Sequence, residues 1–447
     1  MNISLSDFVD SELREYANYD NDRSLPHLLD GLKTTQRKII RTMLNGRENS
    51  KEIKVAQLSA FVAAETDYHH GEGSIASSIV TLCLNYAGTN NFPLMKGVGQ
   101  FKTRMNPVSA ASRYIFTQLS PNFRLMFRKE DDKIVESQFS DGMEIEPKFF
   151  LPIVPTVLLN SSEGIGNGFA SDIQPRSLSD IISAVEAISN GKDPMRITPY
   201  YEGFKGTVEI GDNQLQWIIR GVAHIENTTT IKITELPIGM DLAKIQSILI
   251  DMQEKGLIKG YDDNSNIKSG FDINVYASKE FVSKFKKQDQ LLKEFKLITK
   301  ISENLTVWLP NGKLKNFFTE IELIKEFLKW RFPYYTARKN HLLQKMEEQI
   351  SKKDNRMKFI RLAIENMDTM LKMKKKELFE FCMSHGFTEE QTETNLQIRI
   401  YDLTAEMVPI LEDEIIQLKD AHAELTSTTE KQLLLQDLKE LRKKVKL

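Results

Sequence analysis

The chain has 447 residues, 60 Lys+Arg against 62 Asp+Glu and a formal net charge of -2, so at about 150 residues per domain it holds roughly three domains, each large enough to bury a core. A hydrophobic fraction of 40% and a charged fraction of 27% exclude global disorder and a small disulfide-stapled fold. The two cysteines, Cys83 and Cys382, lie far apart without metal-ligand or redox spacing, which points to a reducing compartment and away from zinc. Residues Met1 to Asp10 lack the basic and apolar parts of a targeting signal, and no run of about 18 apolar residues occurs, so a cytoplasmic protein without a membrane span is expected.

Leu5 to Tyr19 reads as a short helix, followed by turns at Leu25-Pro26 and Asp30-Gly31. Thr34 to Met43, Val55 to Ala64 and Glu72 to Tyr86 then have helical spacing. Three short helices in series, the third entered after His69-His70-Gly71, suit a winged-helix or helix-turn-helix module, as they suit any helical core. Gly97 to Pro107 is loop-like and leads to Ala110-Ala111-Ser112-Arg113-Tyr114. Pro152 to Leu159 reads as strand or extended chain, and Gly164-Ile165-Gly166-Asn167-Gly168 requires a permissive backbone before a helix over Leu178 to Ile188. Thr207 to Ile210, Leu215 to Arg220, Ala223 to Glu226 and Thr230 to Glu235 carry strand-forming residues. With a helix over Asp241 to Lys255 and strands near Phe271 to Ala277 and Leu305 to Trp308, they predict a mixed α/β domain. A helix over Phe317 to Arg331 is expected to end before Pro333. From Thr336 to about Met373 a proline-free helical pattern would extend roughly 55 Å at about 1.5 Å per residue, too long for a compact core. Leu411 to Leu447 is its expected antiparallel partner, and Lys375 to His385 with Glu389 to Asp402 form a distal knob suited to a dimer contact.

Near-zero net charge does not exclude nucleic acid, because the bases are unevenly placed: Lys33, Arg37, Lys38, Arg41, Arg47, Lys51 and Lys54 face only Glu48 and Glu52 in their segment. Lys33, Arg37 and Arg41 recur four residues apart, as a phosphate-contacting face or as a solvated one. Arg113-Tyr114 joins a hydroxyl nucleophile to a permanent cation, the combination needed for attack on phosphorus, although a lone tyrosine is more often a buried ring. His69-His70 suits hydrogen bonding to phosphate or proton transfer, or simply helix entry. Ile165 between glycines is either a core plug or an apolar wedge that unstacks base steps. The glycine run lacks a following Gly-Lys-Ser/Thr, so no nucleotide pocket is expected. Asp131-Asp132 and Glu144/Glu146 are acidic without the spacing of a divalent-metal loop.

Several motifs occur together: Arg23-Ser24-Leu25-Pro26, Asp30-Gly31-Leu32-Lys33, Gln36-Arg37-Lys38, Tyr68-His69-His70-Gly71-Glu72 and Gly97-Val98-Gly99-Gln100-Phe101. Ala110 to Tyr114, Pro152-Ile153-Val154-Pro155, Gly164 to Gly168, Thr234-Glu235-Leu236-Pro237 and Tyr335 to Lys339 complete the set. With them the chain resembles, over essentially its whole length, the breakage-reunion subunit of type IIA DNA topoisomerases, most closely the separate medium subunit of T4-like bacteriophages. The resemblance implies a multidomain α/β fold: a winged-helix breakage-reunion region over 1–150, a mixed α/β tower over 151–330, and long antiparallel helices ending in a dimer-gate knob over 331–447.

It also implies that Tyr114 attacks DNA to form a 5′-phosphotyrosyl double-strand break, assisted by Arg113, in an ATP-dependent duplex-passing enzyme. Arg23, Lys33, Arg37, Lys38, His70 and Arg104 become DNA-binding candidates, and Ile165 the wedge that bends the DNA. Mg2+ and ATP would be bound by partner subunits and no metal by this chain. The implied partners are double-stranded DNA, a second copy in a homodimer, and subunits with ATPase and acidic metal-binding functions; for a phage protein the site of action is the host cytoplasm. Tyr68-His69-His70 has the eukaryote-like and phage-like form, and Gln36 stands where histidine is frequent. The end at Leu447 leaves no room for a DNA-wrapping propeller, so active negative supercoiling is not expected. An architectural DNA-binding dimer without enzymatic activity is the alternative.

Overall fold

The computed structural model describes residues 4–49 and 51–445; the first three residues of the N-terminal stretch and the expected helical end at Leu447 lie outside them. The chain divides into two compact units, Met1–Arg331 with Leu435–Leu447, and Phe332–Leu434.

In the first unit Ser4 caps a helical run of Leu5–Phe8, a wider turn Val9–Leu13 and Arg14–Ser24. The run ends at Leu25, which takes the extended conformation favoured before proline. Helices Thr34–Leu44, Val55–Glu65 and Glu72–Cys83 pack on one another, burying Ile39, Ile40 and Met43, then Val55, Leu58 and Val62, then Ile75, Ile79 and Leu82. The third is shorter than its apolar spacing predicts because Leu84 is extended. Beside them runs a three-stranded antiparallel sheet with Phe116–Leu119 central between Ile53–Lys54 and Met95–Val98.

The apolar run after Pro152 is not a strand. It folds as a short 3-10 turn, Thr156–Leu158, because the Asp30-Gly31 turn packs against it. Thr156 Oγ1 donates to the Asp30 carbonyl at 2.6 Å, and a Cβ on Gly31 would lie 2.6 Å from the Val157 nitrogen. The glycine-rich segment is a tight hairpin, Ser162–Ile165 against Ala170–Ile173.

The α/β part contains an antiparallel sheet of Val222–Asn227, Thr230–Glu235, Ile273–Tyr276 and Gly260–Asp263 in that order. Helix Leu242–Glu254, N-capped by Asp241, packs on it through Ile245 and Leu249 against Ile231, Ile233 and Val275. A second sheet joins Thr207–Ile210, Gln216–Arg220 and Ile298–Ser302, and a hairpin pairs Leu305–Trp308 with Leu314–Phe317.

Pro333 does not end a helix, contrary to expectation: it lies inside the helical run Glu320–Met370, which is two helices meeting at a kink at Asn366, where the backbone is non-helical. Proline removes one hydrogen bond, and Phe327 and Leu328 before it and Tyr335 after it are buried. Within the second unit the first of these helices runs antiparallel to Met407–Ser427, with Met357 and Ile360 against Leu411 and Ile415 and Lys353 paired with Glu414 at 2.6 Å. The knob consists of Lys375–Ser384, Glu389–Asn395 and Ile400–Asp402 around Phe359, Cys382 and Phe387.

The returning helix is two helices, not one. Thr428 is extended, and Thr429 opens a second helix, Glu430–Lys444, with a capping box in which it exchanges hydrogen bonds with Gln432. From Leu435 onward it belongs to the first unit, where Arg128 meets Asp437 at 3.2 Å. The region expected as one block over 331–447 is therefore divided. Among the described residues no helix is long and apolar enough to cross a membrane.

Candidate nucleic-acid interface

Tyr114 lies on a turn fastened from both sides. The Ala56 N–H donates to the Ser112 carbonyl and the Val55 N–H to the Ile115 carbonyl, at 3.2 and 3.0 Å, while the Tyr114 N–H closes back on Ala111 at 2.9 Å. The next residues enter the central strand Phe116–Leu119. Upstream, Gly99 has φ +109 and packs on Ile115, which turns the loop out of strand Met95–Val98. The backbone is thus held while the side chain is left outside: Tyr114 is 66% exposed. The exposed Arg113 guanidinium lies 5.0 Å from its ring centroid. A fixed hydroxyl with an adjacent cation can meet a phosphodiester and neutralise charge on its oxygens.

A groove of about 610 Å³ is lined by Arg23, Lys33, Ser74, Ser77, Ser78, Thr81 and Ile165 among others. The four hydroxyl residues are spaced i, i+3, i+4, i+7 on helix Glu72–Cys83, opposite its buried face of Ile75, Ile79 and Leu82. Small polar side chains there permit close approach of a polar ligand. Lys33 is half-buried and donates to the Glu163 carbonyl at 2.6 Å; burial lowers its pKa, against the opposing influence of Glu163. Arg23 makes no hydrogen bond among the described residues.

Ile165 is no core plug: it is 79% exposed at the tip of its hairpin. The glycines flanking it are needed for contact, since a Cβ on Gly164 would lie 2.1 Å from the Ser24 carbonyl oxygen and one on Gly166 2.1 Å from Asn21 Oδ1. The hairpin backbone is pressed onto the last turn of helix Arg14–Ser24, and Asn21 Nδ2 donates to the Asn167 carbonyl at 3.1 Å.

Of the two histidines, His69 pairs with Asp67 at 3.1 Å, the latter having φ 51. His70 Nε2 lies 2.6 Å from the Tyr19 hydroxyl. Burial, then Arg23 and His69, lower the His70 pKa.

Three of the expected DNA-contacting residues have internal partners. Arg37 is 5% exposed and forks onto Asp30, with Nε to Oδ2 at 2.9 Å and Nη2 to the Leu32 carbonyl at 3.1 Å. Lys38 is buried on Glu146 at 2.9 Å and on the Thr66 carbonyl. Arg104 pairs with Glu235 at 2.7 Å and donates to the Leu236 carbonyl. Their donors are spent on internal acceptors, since a buried cation without partners is costly. Nor is there a basic face: Lys33 is the helix N-cap, and Arg41 turns to Glu144 at 3.5 Å. The acidic pairs are likewise taken, Asp131 by Arg331 and Asp132 by Arg124. Among the described residues no group of three or more His, Cys, Asp or Glu converges as a metal cage.

Compared with known proteins, residues 23–440 match the DNA gyrase/topoisomerase IV A-subunit family. The chain belongs to this family. DNA topoisomerase 2 of Arabidopsis thaliana is 36% identical over 398 residues, covering 86% of this chain and 27% of that protein. Mitochondrial DNA topoisomerase 2 of Dictyostelium discoideum is 33% identical over 454 residues, covering 98% and 35%. The chain thus spans about a quarter to a third of the length of these curated relatives. The crystal structure of the Plasmodium falciparum topoisomerase II DNA-binding, cleavage and re-ligation domain aligns with a TM-score of 0.91 at 30% identity, covering 99% of this chain and 65% of that one. The multidomain α/β arrangement of mixed sheets and long helices is therefore that of a type IIA topoisomerase breakage-reunion domain.

Sequence reasoning missed Tyr19 and the hydroxyl stripe. The i, i+3, i+4, i+7 spacing of Ser74, Ser77, Ser78 and Thr81 was a usable signal; nothing local links Tyr19 to His70, 51 positions away.

Proposed function

We propose that this chain is the DNA-cleaving and religating part of an ATP-dependent type II topoisomerase. The observation that carries the reading is Tyr114, exposed on a turn anchored at both ends, with Arg113 beside it, in a chain of this family. In the proposed reaction the Tyr114 oxygen attacks a DNA phosphorus. The O–P bond to tyrosine forms as the bond to the 3′ oxygen breaks; the phenol gives up its proton and the leaving oxygen gains one. One phosphoester replaces another, so the linkage retains the energy for religation by the reverse attack. Arg113 neutralises the phosphoryl oxygens, Arg23 and Lys33 hold backbone phosphate, and Ile165 enters a base step to bend the duplex.

In this reading residues 1–150 are a winged-helix breakage-reunion region, 151–330 a tower, and the knob within 331–447 a dimer gate joining two copies, one tyrosine per protomer. Among the described residues, Glu146, Asp132 and Asp131, acids noted in the sequence, are committed to lysine and arginine partners. In this reading Mg2+ and ATP are bound by partner subunits, and no step runs through them on this chain. The Tyr68-His69-His70 form is common to the eukaryotic and phage patterns, and within them the reading proposed is the separate subunit of T4-like bacteriophages, acting in host cytoplasm.

Peptide mapping of denatured, nuclease-digested cleavage complexes, formed with the partner subunit, DNA and Mg2+, tests the reaction. A nucleotide remnant is expected on Tyr114 and no adduct in Tyr114→Phe. A remnant on another tyrosine overturns the nucleophile; no adduct with a demonstrably active partner makes the chain an architectural DNA-binding dimer.

A further inference from the structure

We propose that Tyr19 is a positioning residue for DNA cleavage and religation: its hydroxyl donates to His70 Nε2 and so fixes the imidazole with its proton on Nδ1, which is then offered to an oxygen of bound DNA. The proposal rests on the reading of His70 as a DNA-contacting residue.

The geometry is local and specific. The Tyr19 oxygen lies 2.6 Å from Nε2, and Tyr68 meets the imidazole edge-on with centroids 5.4 Å apart. Both sides of the imidazole are thus restrained although Tyr19 itself is 57% exposed. A phenol is a better donor than acceptor, whereas an unprotonated imidazole nitrogen is a good acceptor, so the pairing places the ring proton on Nδ1. Nδ1 has no hydrogen-bond partner among the described residues. A neutral imidazole in water favours the other tautomer, so the Tyr19 contact changes which nitrogen carries the donor.

Burial, then Arg23 and His69, lower the ring's pKa and so favour its neutral form. Arg23 and Tyr19 face it from helix Arg14–Ser24, and Tyr68 and His69 from its own segment; the Asp67 carboxylate is turned to His69. A neutral ring donates one proton, from the nitrogen that Tyr19 leaves free. The same helix also seats the Ile165 hairpin through Asn21 and Ser24. One rigid element thereby references both the wedge and the histidine, four residues or fewer from Tyr19 along the chain in the case of Arg23 and Asn21.

The experiment uses the complete complex with its partner subunit, comparing the unmodified chain with Tyr19→Phe, His70→Ala and the double variant. Religation is followed in single turnover, and His70 ring nitrogens by 15N-histidine NMR, with His70→Ala assigning the signals. Tyr19→Phe is expected to leave thermal melting unchanged, slow religation about fivefold, the size of one neutral hydrogen bond, and move the 15N pattern from the Nδ1–H to the Nε2–H tautomer. The double variant should be no slower than His70→Ala, because the two side chains act as one unit. Religation at full rate in Tyr19→Phe, or an Nε2–H tautomer already present in the unmodified chain, overturns the positioning role. A normal rate in His70→Ala removes the histidine reading beneath it, while the Tyr114 adduct, measured separately, still decides the nucleophile.

Discussion

Arg113 and Arg176 each lie beside an aromatic ring, at 5.0 Å from the Tyr114 centroid and 5.9 Å from that of Trp217, and the two regions use the pair in opposite ways. Around Arg176 everything is buried and answered. Its Nη2 reaches Glu303 at 2.7 Å, Trp217 Nε1 donates to the same carboxylate at 2.6 Å, and the Gln174 N–H to its other oxygen at 2.8 Å. Around Arg113 the backbone is answered and the side chains are not. A cation surrounded by acceptors organises the fold, whereas one left free on a pinned backbone is available to a ligand. The contrast extends to the other bases, with Arg37, Lys38 and Arg104 on the buried side and Arg23 on the free side.

Substitution at the buried knot should break this comparison most strongly. Arg176→Met leaves the Glu303 carboxylate buried and unpaired, and denaturant unfolding should show a loss of about 3–5 kcal/mol. Adding Glu303→Gln should recover part of it, since no bare charge remains. Cleavage per folded molecule should stay near normal. A stable Arg176→Met with impaired cleavage would place this knot in the DNA chemistry and erase the distinction.

Much of the fold was legible because local pattern and tertiary role agree. From Ile231 to Glu235 buried and half-buried residues alternate as in a half-covered strand, and Asp241 marks the start of its helix in sequence and structure alike. The family motifs carried Tyr114, Arg113 and Ile165, whose exposure the structure supplies. What could not be read locally is which way a charged side chain faces. Arg104 is turned inward by Glu235, 131 positions away, and Lys38 by Glu146, 108 away. The expectation that Pro333 ends a helix failed as well: the buried residues Phe327, Leu328 and Tyr335 flank it, and burial of a helix face can outweigh one lost hydrogen bond.

His27 sharpens the comparison as a buried group whose charge is refused altogether. Its Nδ1 accepts the Leu29 N–H at 3.2 Å and its ring stacks on Phe149 at 5.0 Å. Burial, against the pull of Asp30 and with the help of Arg37, takes its pKa from 6.5 to about 3. Below pH 6.5 the unfolded chain takes up a proton here that the folded chain declines until about pH 3. This site therefore removes stability as pH falls through that window, by about 1.4 kcal/mol per pH unit. Denaturation of His27→Gln between pH 6.5 and 4 should give a shallower slope than the unmodified chain; equal slopes would mean that His27 titrates alike in both states.

The smallest effect on stability belongs to the residue expected to matter most to bound DNA after Tyr114. Ile165→Ala removes a side chain that is 79% exposed, so the unfolding free energy should move by less than about 0.5 kcal/mol. The hairpin should stay in place, because its seat on Asn21 and Ser24 is made by the flanking glycines and not by this side chain. Duplex bending, followed by energy transfer between labelled DNA ends, should fall markedly, because alanine is too short to hold a base step open. Full bending by Ile165→Ala would assign the bend to backbone contacts alone. A loss of several kcal/mol would return Ile165 to the buried class, against its position at the tip. Small change in the protein with large change in the DNA is the signature of an apolar group whose burial partner is a base pair rather than a neighbouring side chain.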